Sequence, residues 1–219
     1  NGMISSVDRS MPDKLVSNRK IKGLMSGDEL VGIDYRPKDG KLYAVGLQAN
    51  LYTLNPNNGE AIFLRKLIAD PSDNTDGNAS FTQIMGDANL ITVNFNPAAD
   101  RLRVISNTGQ NLRINVDTGA TITDGTINLA TGSAAVVAGA YTNAFAGTGS
   151  TKLYSIDQNS DRIYLQNANA GTLGNSTALG ADINTNGGGG FDIDPVSNVG
   201  FAALKLASGN YKFFKLNLA

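Results

Sequence analysis

Val93-Asn94-Phe95-Asn96-Pro97-Ala98-Ala99-Asp100-Arg101-Leu102-Arg103-Val104-Ile105 reads as two alternating apolar runs joined by a short polar turn. Proline cannot donate to a sheet ladder, so Pro97 ends the first run and sets the turn. The same pattern occurs at Gly32-Ile33-Asp34-Tyr35-Arg36-Pro37, which leads through Lys38-Asp39-Gly40 into Leu42-Tyr43-Ala44-Val45. It occurs again at Phe191-Asp192-Ile193-Asp194-Pro195, which leads through Val196-Ser197-Asn198 into Val199-Gly200-Phe201-Ala202-Ala203. A fourth copy lacks the proline and runs Val136-Val137-Ala138-Gly139-Ala140-Tyr141-Thr142-Asn143, with Lys152–Asp157 as its partner. Two hairpins make a repeat unit.

The later half of each unit repeats as well. Leu51–Asn55 passes through Asn57-Asn58-Gly59-Glu60 into Ala61–Leu64, and Leu112–Asn115 passes through Asp117-Thr118-Gly119 into Ala120–Ile122. Asn-Gly and Thr-Gly steps between alternating runs are hairpin signals. Each unit is therefore a four-stranded meander, and a lone meander leaves one face bare, so the units must stack. Split at Asn143, the interval from Pro97 to Pro195 gives units of roughly 46 and 52 residues, the period of β-propeller blades. The expectation is an all-β, β-propeller-like fold of four antiparallel blades, with room for a partial fifth, in one domain over residues 1–219. The last unit supplies three strands before Leu218-Ala219, while Met3–Asp8 and Leu15–Lys22 read as strands with no inner strand before them. Ring closure by the N-terminal strands, completing the final blade, follows as an expectation.

Composition narrows the chemistry. The 219 residues include no His, Cys or Trp, 25 Gly and 17% charged residues, with a net charge of −1. That removes imidazole bases, His- or Cys-ligated metals, thiolate nucleophiles and disulfides. Near-neutral charge argues against a nucleic-acid partner. No apolar run approaches the ~20 residues of a transmembrane helix. Asn1-Gly2-Met3 opens no signal-peptide pattern. Low charge and a polar, uncharged surface fit an exported chain, secreted or at a cell surface.

From Asn96 to Arg113 the sequence resembles a bacterial domain-of-unknown-function family of exported, propeller-like proteins. The run Asn96-Pro97, Asp100-Arg101-Leu102-Arg103 and Thr108-Gly109-Gln110-Asn111-Leu112-Arg113 carries the resemblance. Leu30–Gly46, Ala140–Asn143 and Gly189–Asp194 are similar to the same family. The resemblance implies a propeller and export, and brings no activity or catalytic residue with it. Relatives continue through a Thr-Gly turn into another strand where this sequence reads Leu218-Ala219.

Several clusters bear on function. Asp34, Asn94 and Asp192 fall at one position of successive inner strands, with Ala140 or Asn143 in the third unit. Their oxygens suit Ca²⁺ if they converge on a channel, and Asx-type turn capping if they do not. Asp100, Arg101, Arg103 and Arg113 form the densest charged group. It suits either an anionic ligand or a turn-locking, inter-blade network that includes Asp34. Asp70–Asn78 has a calcium-like composition but places Gln83 where an EF-hand needs a bidentate Glu. Asp157–Asp161 reads as a hairpin turn. The expected function is an extracellular, non-enzymatic binding or structural module, either self-assembling by strand sharing or holding an extracellular glycan. The alternative is a carbohydrate-active or Ca-dependent hydrolase or lyase using Asp34, Asp192 and Asp194 at a channel mouth.

Overall fold

The structure, a computed structural model, describes residues 2–74, 79–183 and 187–218. Four antiparallel sheets form a four-bladed β-propeller. Blade 1 comprises β3 (Leu30–Tyr35), β4 (Leu42–Gly46), β5 (Asn50–Asn55) and β6 (Glu60–Lys66). Blade 2 follows a two-residue strand, β7 (Ile68–Ala69), and comprises β8 (Ile91–Asn96), β9 (Arg101–Ser106), β10 (Asn111–Ile114) and β11 (Ala120–Thr123). Blade 3 is β12 (Val136–Tyr141), β13 (Leu153–Asp157), β14 (Arg162–Gln166) and β15 (Leu173–Ala178). Blade 4 has three strands, β16 (Gly189–Ile193), β17 (Gly200–Lys205) and β18 (Tyr211–Leu216). β3, β8, β12 and β16 are the inner strands, as the proline-anchored repeat requires.

Alternation puts one side of each strand on each neighbouring blade. Between blades 1 and 2, Val45, Leu51, Phe95, Leu102 and Leu112 are buried in one cluster. Phe81 and Ile84 join it. The connection between blades 1 and 2 thus contributes Phe81 and Ile84 to the core, and its β7 pairs in parallel with β11. Ile105, Tyr141, Leu153 and Tyr164 fill the seam between blades 2 and 3, and Ile156, Phe191, Ile193 and Leu204 that between blades 3 and 4. At roughly 1.5–3 kcal/mol per fully buried large aliphatic or aromatic side chain, these seams supply most of the driving force.

The remaining strands correct one expectation. β1 (Met3–Asp8) and β2 (Met11–Lys20) pair only with each other, as a separate two-stranded sheet, and do not complete blade 4. One face of this hairpin packs on blade 1, where Ile4 and Ile21 meet Leu42, Ala44, Tyr52 and Leu54. Toward blade 4, no buried apolar cluster forms among the described residues. There the contact is Arg9, whose Nη1 lies 2.6 Å from Asp194 Oδ2 and whose guanidinium sits 5.2 Å from the Phe201 ring centroid.

A recurrent contact fixes where the hairpin belongs. Lys22 bridges in parallel to Glu60, β7 to β11 at Ile68 and Ala120, and Asn128 to Thr172. In each case the segment just after one outermost strand pairs with the residue that opens the next blade's outermost strand or directly precedes it. A glycine with positive φ precedes that residue each time: Gly59, Gly119 and Gly171. A Cβ there would stand 2.3 Å from Lys20 O, 2.6 Å from Lys66 O and 2.4 Å from Thr126 O respectively. β2 therefore occupies the outermost-strand position of a blade preceding blade 1. β1 sits beside it, in the third-strand position.

Candidate functional site

The inner strands of neighbouring blades run past one another without forming a common ladder, so their backbone N–H groups need other acceptors. Side chains supply them. Asp34 Oδ2 accepts from Phe95 N at 2.6 Å, and Asn94 Oδ1 accepts from Tyr141 N at 2.8 Å. Thr92 Oγ1 accepts from Gly139 N at 2.9 Å. Asp34 and Asn94 thus each fasten their blade to the inner strand of the next one. Asp34 Oδ1 also accepts from its own Tyr35 N at 2.8 Å, as Asp192 Oδ1 does from Ile193 N at 2.8 Å. The third unit has Ala140 at this position and makes no such link. Its blade is joined to blade 4 through Asn143, whose N–H donates to Asn198 Oδ1 at 2.9 Å.

Asp34, Asn94 and Asp192 do come together, on the wall of a cavity of about 760 Å³. β3 and β8 line one side, β16, Phe201 and Phe213 another, and Ile4, Ser5 and Ser6 of β1 a third. The cavity thus occupies the gap between blade 4, blade 1 and the hairpin. No Lys or Arg lines it. Burial, then the neighbouring Asp192 charge, pushes the Asp34 carboxyl well above the usual carboxylate range. Asp192 is open to water along the cavity, yet protein surrounds it on most sides, and that desolvation raises its carboxyl too. The Asn94 amide opposes this by bonding to Asp192. Asp194 behaves in the opposite way. Backbone donation from Ser197, then the Arg9 ion pair, holds its carboxyl low. Among the described residues no group of three or more acidic side chains is arranged to hold a metal ion.

The arginine cluster separates into two seams. Arg103 donates to Asp124 Oδ2 (2.6 Å), Asn111 Oδ1 (2.9 Å) and Asn169 Oδ1 (2.9 Å). Arg113 reaches both oxygens of the same Asp124, at 3.1 and 3.0 Å. Arg103 and Asp124 are each 2% exposed and pair within blade 2, while the bonds of Arg103 to Asn169 and to the Tyr141 hydroxyl (3.3 Å) lock that blade to blade 3. Asp100 turns away to blade 1, where Arg36 holds it. Arg101 donates to the backbone carbonyls of Ala99 and Asp100, at 3.4 and 2.9 Å.

Arg36 is the residue that sequence reasoning missed. It donates twice to Asp100 (2.7 and 2.6 Å) and twice to Asp117 (2.8 Å each), and it is 4% exposed. Its place directly before Pro37, facing acids in the next unit's turns, was the available signal. In the Asp70–Asn78 loop, Asp70 Oδ1 accepts from Ser72 N at 2.9 Å and Asp73 Oδ2 from Thr123 N at 3.0 Å. Residues 75–78 lie outside the described residues. Asp157–Asp161 forms the β13–β14 turn, with Asp157 Oδ1 accepting from Ser160 N at 3.0 Å. No helix among the described residues is long and apolar enough to cross a membrane.

The chain is similar to several solved structures. Glutaminyl cyclase of Myxococcus xanthus matches with a TM-score of 0.53 at 13% identity, covering 93% of this chain and 79% of that one. U3-55K matches at 10% identity and a TM-score of 0.46, over 87% of this chain and 53% of that one. The WD40 repeats of RRP9 match at 12% identity and 0.45, over 89% and 52%. The chain spans about half the length of the last two. These are likenesses of fold alone. No curated protein matches the chain. Residues 3–219 match the family described as a domain of unknown function, DUF4394, and the chain belongs to that family.

Proposed function

We propose that this member of the DUF4394 family is an extracellular, non-enzymatic binding or structural module that assembles with copies of itself by strand sharing. The observation that carries this reading is the seam between blade 4 and the hairpin, which lacks the apolar core every other seam has. Two strands beside that seam, β1 and β18, each keep one edge without a ladder partner among the described residues. Open strand edges recruit further strands. A contact between different surfaces of successive copies propagates as a filament. Electron microscopy of the purified chain tests this. Fibres or rings of regular repeat support it, and dispersed single particles at high concentration contradict it.

A second reading has one observation in its favour: two carboxylates, Asp34 and Asp192, share a cavity and both titrate above their usual range. Such a pair serves a glycoside hydrolase or lyase, with or without Ca²⁺. Turnover of a glycan panel that is lost in Asp192→Asn would favour the enzyme over the module. Binding without turnover would favour the module, with an extracellular glycan as its ligand.

A further inference from the structure

The chain has four Met and no Cys, and none of the Met falls in a blade. Met3 and Met11 belong to the β1–β2 hairpin, Met25 to the link from it to blade 1, and Met85 to the connection between blades 1 and 2. Methionine ordinarily ranks among the buried residue types and fills irregular gaps in cores. Here every one is exposed, over 46–52% of its surface. At three of the four sites an adjacent aliphatic residue turns inward instead. Ile4 beside Met3 and Ile84 beside Met85 are buried, and Leu24 beside Met25 packs on the cluster that holds Ile4 and Ile21. The buried clusters are built from Leu, Ile, Val, Ala, Phe and Tyr, with no sulfur among the described residues.

We infer that Met3, Met11, Met25 and Met85 are surface oxidation sites, which consume two-electron oxidants of the peroxide class while the fold beneath them stays intact. The step is an oxygen-atom transfer. A sulfur lone pair attacks one oxygen of hydrogen peroxide, the S–O bond forms as the O–O bond breaks, and water leaves. Sulfur is oxidised by two electrons and the peroxide is reduced by two. The polar sulfoxide disrupts a core that contains it. On these four side chains it projects into water. Cys is the other side chain on the same oxidation ladder, and the chain has none. The chemistry is independent of self-assembly, since it needs only the separate chain.

Hydrogen peroxide added to the dilute full chain, with free methionine in the same vessel as a clock, tests this. Intact mass should show a gain of four oxygen atoms, one for each Met of the sequence. Peptide mapping should place one on each Met at a rate within about tenfold of free methionine, because susceptibility follows exposure. The melting temperature of the oxidised chain should shift by less than about 3 °C, as for a change confined to the surface. Leu102→Met supplies a buried control. Leu102 is fully buried between blades 1 and 2, and Leu and Met exchange in cores at little cost. The introduced sulfur should stay reduced when the other four have been converted. A native Met that reacts more slowly than the stated range, or a larger fall in melting temperature, overturns the inference. Oxidation of the introduced sulfur in step with the others overturns it too, because exposure would then not select the sites.

Discussion

Arg36 in blade 1 grips Asp100 in blade 2 through two parallel hydrogen bonds of 2.7 and 2.6 Å, across 64 residues of sequence. Asp117 takes the opposite side of the same guanidinium. One buried side chain thus locks the inner turn of one blade to two turns of the next.

Replacing Arg36 leaves Asp117 without its ion pair and Asp100 with Lys38 alone, at 3.0 Å. Because Asp117 is half-exposed and Lys38 remains, the loss should fall below the ~3–5 kcal/mol of a fully buried pair, at about 2 kcal/mol. Arg36→Lys should lose much of that as well, because a point charge cannot form two bidentate pairs at once. Chemical denaturation of Arg36→Ala, Arg36→Lys and the unsubstituted chain measures both losses. A change below about 1 kcal/mol in Arg36→Ala would contradict the clamp.

The same contact sets an acid limit. Hydrogen bonding to Arg36 holds the Asp100 carboxyl at about 2, against 3.8 for a free side chain. A lowered carboxyl stabilises the fold above its unfolded pKa and loses that contribution as pH falls through its folded one. Between pH ~4 and ~2, Asp100 should account for about 2 kcal/mol of lost stability. Asp100→Asn should be less stable at neutral pH and show a flatter acid limb in its melting curve.

Asp34 works the other way. Its carboxyl is raised, so the folded state binds a proton before the unfolded state does, and stability rises as pH falls into that titration. Removing the neighbouring charge with Asp192→Asn should lower the Asp34 midpoint, read from its carboxyl carbon resonance. An unmoved midpoint would mean that the two groups do not sense each other across the cavity.

Hydrogen exchange should separate the hairpin from the ring. β1 and β2 are held on one side by the Ile4 and Ile21 contacts and on the other mainly by Arg9, an exposed ion-pair member. Arg9→Ala should change global stability by less than about 1 kcal/mol, since exposed pairs are weak. It should nevertheless speed exchange of the β1–β2 amides relative to β8 and β12, which are buried on both faces. Equal acceleration throughout would show that the hairpin does not open as a unit.

The blades were legible because their signals are local. Proline after Asn96 and Asp194, alternation in Phe95–Ile105, and Gly59 or Gly119 at a turn each act within a few residues. Strand bounds therefore agree with the sequence reading to within a residue or two at most ends. What joins blades is not local. Arg103 was grouped with Asp100 because they are close in sequence, but folding carries Asp100 to Arg36 and Arg103 to Asp124. By sequence Asp34 and Asn94 suit turn caps or metal ligands, and Asp34 also an inter-blade network with Asp100. Their bonds to Phe95 and Tyr141 depend on the stacking of blades, which no short motif records. The hairpin was misplaced for the same reason. Met3–Asp8 and Leu15–Lys22 look like strands, but only the contacts of Lys20 and Lys22 at Gly59 and Glu60 show which blade position they hold.

The central claim is that copies of the chain associate through the open strand edges beside the hairpin. Multi-angle light scattering across a hundredfold concentration range reads this directly. The account predicts masses that grow in steps of 22.9 kDa as concentration rises. A single 22.9 kDa species at every concentration would contradict it.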